Sequence, residues 1–164
     1  MDHLFSPWRY QYIREARSRE EGCVLCQELA HGDDAESLVV LRARFNAIVL
    51  NRYPYTSGHM MILPYAHCAT LEQCGAAARA EMMELAAGAE RALQAEYQAQ
   101  GINLGVNLGE AAGAGIAGHL HLHVVPRWRG DANFMSVVAE TRVLPEALSD
   151  TYARLRRALT LPNA

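Results

Sequence analysis

Three imidazoles recur at alternate positions in His119-Leu120-His121-Leu122-His123, followed by the apolar pair Val124-Val125. Each ring can attack an electrophile, move a proton, donate to a phosphate or bind a metal, and its reference pKa of about 6.5 leaves it largely neutral at pH 7. Strand side chains alternate faces, and residues two apart lie roughly 6.5 to 7 Å apart, so the three rings are expected to line one face with Leu120, Leu122 and Val124 packed beneath. A solvated histidine-rich face, or a metal clamp using two of the rings, would share that alternation. The flanks argue against both. Upstream, residues 107–118 (NLGEAAGAGIAG) contain glycines, Gly113 and Gly115 among them, that let backbone N–H groups approach a phosphate closely. Alone such a run reads as a turn; beside three aligned histidines it reads as a phosphate site. Downstream, Arg127 and Arg129 add fixed positive charge.

Cys23-Val24-Leu25-Cys26 carries a second chemistry, because a two-residue spacing lets both thiolates reach one tetrahedral metal. A redox pair is the alternative, disfavoured by the charged segment before it and the missing strand-then-helix context. Cys68 and Cys74 read as packing or neutral thiols.

These groups must be held by a scaffold, and 164 residues are enough for one domain with a proper core. The expected division is a single domain over 1–164, with 1–36 as an N-terminal arm carrying the cysteine pair and 37–164 as the core. Fifteen basic against 18 acidic residues, for a formal charge of −3, exclude the broad positive surface of a nucleic-acid polymer binder, so an anionic substrate must be met locally. The first 22 residues mix aromatics with charges and hold no apolar stretch of signal or membrane-spanning length; a cytoplasmic protein with no membrane partner is expected. In that compartment a disulfide framework is the weaker explanation of the four cysteines.

Residues 37–41, 45–50 and 59–63 are short and largely apolar, with Pro54 and Gly58 separating the last two, which predicts antiparallel strands. From Thr70 the period changes: Met82, Leu85, Ala86, Ala89 and Leu93 form the stripe of a long amphipathic helix. Thr70-Leu71-Glu72-Gln73 has the form of a capping box, and Gly101 is the predicted stop. Strands are predicted over 102–108 and 119–125, and Leu148, Tyr152, Leu155 and Leu159 mark a closing helix. The expected fold class is α+β: a mainly antiparallel sheet, one long helix and a C-terminal helix.

His119-Leu-His-Leu-His-Val-Val125 resembles the signature of the histidine-triad (HIT) superfamily. The likeness extends to Leu50-Asn51-Arg52-Tyr53-Pro54, Gly58-His59 through Pro64, and His67, and Ser6-Pro7-Trp8-Arg9 resembles the start of bacterial members. Asn51 through His59, Asn103 through Gly109, and the stretch HLHLHVVPRWRGDANF from His119 resemble the bacterial diadenosine tetraphosphate phosphorylases within that superfamily. The resemblance implies a HIT-like sheet with a long helix, a homodimer, and cleavage of a dinucleoside polyphosphate through a nucleotidyl-histidine intermediate. By position it implies His121 as nucleophile, His123 on the phosphates with His59 close by, Asn51 on the ribose and Asn107 on the phosphates. Zinc-bearing members imply a structural Zn2+ held by Cys23, Cys26, His67 and His119; a metal-free protein, or a site completed by His31, are the alternatives.

Gly115 departs from the pattern, standing where the family usually offers Gln, Ser or Thr to the reacting phosphoryl group. Its backbone N–H is the donor that remains. Trp128 and Tyr53 either flank an adenine or fill the core or dimer seam. Alternative functions are hydrolysis of dinucleoside polyphosphates or nucleoside phosphoramidates, and a non-catalytic nucleotide-binding zinc module. A uridylyltransferase would resemble His-Pro-His followed by Gln, against Leu120 and His123 here.

Overall fold

A computed structural model describes residues 22–131 and 146–160. The N-terminal match at Ser6-Pro7-Trp8-Arg9 and the last residues of the stretch ending at Phe134 lie outside them.

A short helix α1 (Val24–Ala30) precedes strands β1 (Val39–Arg42), β2 (Asn46–Leu50) and β3 (Met60–Pro64). The long helix α2 (Ala76–Tyr97) is followed by β4 (Gly101–Val106), a 3-10 turn (Glu110–Ala112), β5 (Leu122–Arg127) and helix α3 (Leu148–Ala158). The five strands form one antiparallel sheet in the order β1-β2-β3-β5-β4. The fold is α+β, as its strand and helix periods require.

The stripe of α2 is buried as its spacing predicts, with Met82, Leu85, Ala86, Ala89 and Leu93 joining Ile48, Ile62 and Val124 in the core. The predicted helix start is corrected: Thr70 accepts from the Gln73 N–H at 3.2 Å and Gln73 accepts from the Ala69 N–H at 2.9 Å, but they close a separate turn, and α2 begins after Gly75. Capping side chains satisfy any free first-turn N–H, so the motif marks a turn without fixing its length. Nor is Gly101 the stop; Gln98 takes the left-handed conformation at φ 50°, and Gly101 opens β4.

One contact locks the first hairpin. Glu81 on α2 accepts from the backbone N–H of Arg44 (3.0 Å) and Phe45 (2.8 Å) and from the Asn46 side-chain amide (2.8 Å). The arm also carries structure: Leu25 and Leu29 of α1 are buried in the common core, and α1 follows directly on Cys23. No helix among the described residues is long and apolar enough to cross a membrane.

The strand predicted over 119–125 is displaced to Leu122–Arg127, and that predicted over 102–108 ends at Val106. Along β5, buried Leu122, Val124 and Pro126 alternate with half-buried His123, Val125 and Arg127. His119 and His121 precede the ladder and are buried. Free of strand pairing, they need not share a face with His123, and the expectation of three rings on one face gives way to two separate clusters.

Candidate active site

The first cluster joins the end of the turn before β3 to the start of β5. Gly58 makes the approach, at φ +81° and with its Cα so close to the core that an added Cβ would lie 2.8 Å from Leu93 Cδ2. Glycine alone tolerates both. The next residue, His59, is 1 % exposed. Its Nδ1 accepts from the Tyr55 backbone N–H (3.1 Å), and its Nε2 lies 3.0 Å from His123 Nδ1. Burial, then the charges of His123 and His121, push the pKa of His59 down to about 3, so the ring is neutral. An acceptor at Nδ1 puts its proton on Nε2, which donates to His123 Nδ1. With Nδ1 accepting from His59, His123 carries its proton on Nε2.

His121 is fixed in the opposite sense. Its Nδ1 lies 2.7 Å from the carbonyl oxygen of His119, which can only accept, so Nδ1–H donates and Nε2 keeps the lone pair. Burial lowers its pKa, partly offset by that hydrogen bond, and favours the neutral form. The rings of His121 and His123 meet edge to face with centroids 4.9 Å apart. A lone pair and an N–H donor thus stand side by side, the pairing that attack on a phosphoryl group requires.

In the second cluster, His119 donates from Nε2 to the Pro64 carbonyl at 2.9 Å, leaving the Nδ1 lone pair towards Cys23 Sγ and Cys26 Sγ, each 3.4 Å away. His67 Nδ1 is 3.3 Å from Cys26 Sγ. One ligand atom from each of Cys23, Cys26, His67 and His119 falls within 4.8 Å of all the others. Tetrahedral zinc with bonds of about 2.3 Å to sulfur and 2.0 Å to nitrogen puts S and N about 3.5 Å apart, so the donors fit zinc in type, number and spacing. His31 lies elsewhere, bonded to the Asp33 backbone and paired with Glu36.

The other predicted residues are spread around the first cluster. Asn51, just past β2, gives its Oδ1 to the Tyr53 N–H (2.9 Å) and its own N–H to the His59 carbonyl (3.0 Å). Asn107 is half-buried just past β4, and Gly115 is exposed. The Gly113 N–H donates to the Glu110 carbonyl at 2.9 Å and closes the 3-10 turn. Trp128 is half-buried against the core and donates Nε1–H to the Tyr97 carbonyl at 3.0 Å. Two groups escaped notice in the sequence, the Tyr55 N–H and the Pro64 carbonyl, because backbone atoms carry no residue-type signal.

A model of the HIT domain matches residues 33–130. The chain belongs to the HIT family. The AP-4-A phosphorylase of Mycobacterium tuberculosis is 39 % identical over 157 residues, covering 92 % of this chain and 80 % of that protein. A zinc-bound histidine triad family protein from Mycobacterium smegmatis superposes with a TM-score of 0.68 at 28 % identity, covering 84 % of this chain and 92 % of the other. A HIT-like protein involved in cell-cycle regulation from Bartonella henselae shares the fold, with a TM-score of 0.62 over 74 % of this chain and 86 % of its own at 20 % identity.

Proposed function

We propose that this HIT-family enzyme, of the nucleotidyltransferase or hydrolase type, cleaves dinucleoside polyphosphates, converting diadenosine tetraphosphate and phosphate to ATP and ADP. The observation that carries the reading is the edge-to-face approach of the His121 and His123 rings, centroids 4.9 Å apart, with His121 Nδ1 held by the His119 carbonyl and His123 Nδ1 by His59 Nε2. The 39 % identity to an AP-4-A phosphorylase supports the substrate class.

His121 Nε2 attacks the α-phosphorus; a P–N bond forms, and the P–O bond to the departing nucleoside polyphosphate breaks. The positive charge gained by the imidazole is met by the His119 carbonyl at Nδ1–H. His123 donates to a phosphate oxygen as charge builds there, and His59 holds its tautomer. The phosphoramidate is then attacked by an oxygen of inorganic phosphate, the P–N bond breaks, and neutral His121 returns. Asn51 is assigned to the ribose, and Asn107 with the Gly115 N–H to the phosphates.

Zn2+ is proposed at Cys23, Cys26, His67 and His119, supported by the four-ligand geometry and the zinc-bound relative. When bound it supplies a structural link between the segment before α1 and the residue whose carbonyl holds His121. A homodimer is proposed through β4, an edge strand on which Leu104 is 46 % exposed with Leu108 just beyond at 43 %. An edge with unpaired backbone groups and exposed leucines invites a second copy.

Incubation with diadenosine tetraphosphate, with and without phosphate, tests the reading. ATP plus ADP, formed only with phosphate, is the expected result, and His121→Ala should lose more than the ~100- to 1000-fold typical of removing one transition-state donor. ATP plus AMP would make it a hydrolase. Tight nucleotide binding without turnover, or near-normal turnover by His121→Ala, would overturn the mechanism.

A further inference from the structure

We propose that Arg127, held over β4 by Asn103 two residues along the strand from the bare Gly105, forms with them the track for the departing polyphosphate and so selects substrates with a long phosphate chain. The inference rests on the reading of a dinucleotide cleaved at His121.

The order of the strands sets the direction. Asn51 follows β2, His59 precedes β3, and His123 lies on β5, so a nucleoside held at Asn51 occupies the β2 and β3 side of the reacting phosphate. The remainder of a dinucleotide must leave on the other side, over β4. The register places Met61, His123 and Gly105 in one row across β3, β5 and β4. At Gly105 an added Cβ would meet nothing within 4 Å among the described residues, so the position next to His123 on the β4 side is open space. Two residues further along the same face is Asn103, paired with Val125 and exposed. One strand spacing and two residues of rise separate it from His123 by about 8 Å, the scale of a short polyphosphate.

Arg127 reaches this spot from the end of β5. Its Nη1 donates to Asn103 Oδ1 at 3.0 Å, which draws the guanidinium back along the sheet towards the triad. Asp131 grips the other edge, accepting from Nε at 2.6 Å and from Nη2 at 2.8 Å. The side chain remains 43 % exposed, and the N–H groups outside those three bonds are available to an anion. A guanidinium braced by a carboxylate and an amide is a preorganised donor, which loses little freedom when phosphate arrives. The competing explanation is that Arg127 only pins the turn after β5, since Asp131 also accepts from the Trp128 N–H.

The two differ in what a substitution does to substrates of unequal length. The assay compares kcat/KM for diadenosine tetraphosphate with that for adenosine 5′-phosphoramidate, whose leaving group has no phosphate chain. In Arg127→Gln the tetraphosphate-to-phosphoramidate ratio should fall about ten- to a hundredfold, the scale of losing one charge-assisted hydrogen bond, and Arg127→Lys should recover part of it. Gly105→Val, which obstructs the track while leaving the Arg127 contacts in place, should lower the same ratio. An unchanged ratio in Arg127→Gln and Gly105→Val overturns the track, and so does an equal loss on both substrates accompanied by a lower melting temperature, which would mark turn pinning. Wild-type protein that turns over the phosphoramidate but not the tetraphosphate also overturns it while sparing the His121 chemistry. Failure of the wild type on both substrates sinks the underlying reading instead.

Discussion

Acid should destabilise this protein through His59 in a way that can be isolated. The ring is 1 % exposed, its Nδ1 accepts a backbone N–H, and burial with the neighbouring histidines lowers its pKa to about 3. Unfolded, it titrates at about 6.5. Because the folded value is the lower one, the unfolded chain binds the extra proton first: the native state keeps its full advantage above pH 6.5 and loses it as pH falls towards 3. One pKa unit is worth about 1.4 kcal/mol, so integrating from pH 7 to pH 5 gives a loss of about 2 kcal/mol from this residue alone. Other groups titrate over the same window, and they cancel when wild type is compared with His59→Gln. Urea unfolding of both proteins at fixed zinc, at pH 7 and pH 5, measures the difference. The stability of wild type relative to the variant should shrink by about 2 kcal/mol on acidification. Parallel pH profiles would refute the neutral, backbone-bonded His59, and with it the tautomer assigned to His123.

Two further outcomes follow from the contacts. Zinc measured in protein purified without chelator should be near one per chain and largely absent from Cys23→Ser, since a structural site needs all four ligands; at free zinc a thousandfold above Kd, occupancy should add about 4 kcal/mol to stability. A wild type without zinc sinks that assignment. Glu81→Ala should cost about 1 to 3 kcal/mol in chemical denaturation, because it strands the part-buried Phe45 N–H and one proton of the Asn46 amide, whose other proton stays on the Ala78 carbonyl. A change under 1 kcal/mol would mean that water replaces Glu81.

Much of the fold is legible in the sequence because its periods are strong. The α2 stripe and the short apolar runs around 39–64 survive translation into structure, since one face of each element must be buried. Boundaries are less legible. Thr70-Leu71-Glu72-Gln73 satisfies the local rule of a capping box and still caps only a turn, because the side-chain bonds are the same for one turn as for six. The strand signal of the triplet fails for a similar reason: alternation of His with Leu fits a strand, but pairing partners decide where the ladder begins, and β3 and β4 reach only Leu122. The glycine run likewise permits backbone donors to face a ligand without saying which do, and Gly113 spends its own within the turn.

By itself the sequence determined which chemistries are present: a histidine triplet, a thiol pair, a glycine-rich approach and a family signature. The family resemblance already implied how the imidazoles divide; tertiary structure alone showed the contacts that separate them. His119 joins thiols 96 and 93 residues away, while His123 meets a ring 64 residues away. Each ring's tautomer is then set by a backbone group, the carbonyls of Pro64 and His119 or the N–H of Tyr55. Backbone donors and acceptors are the same at nearly every position of any chain, so only their placement in space fixes which nitrogen of each ring carries the proton.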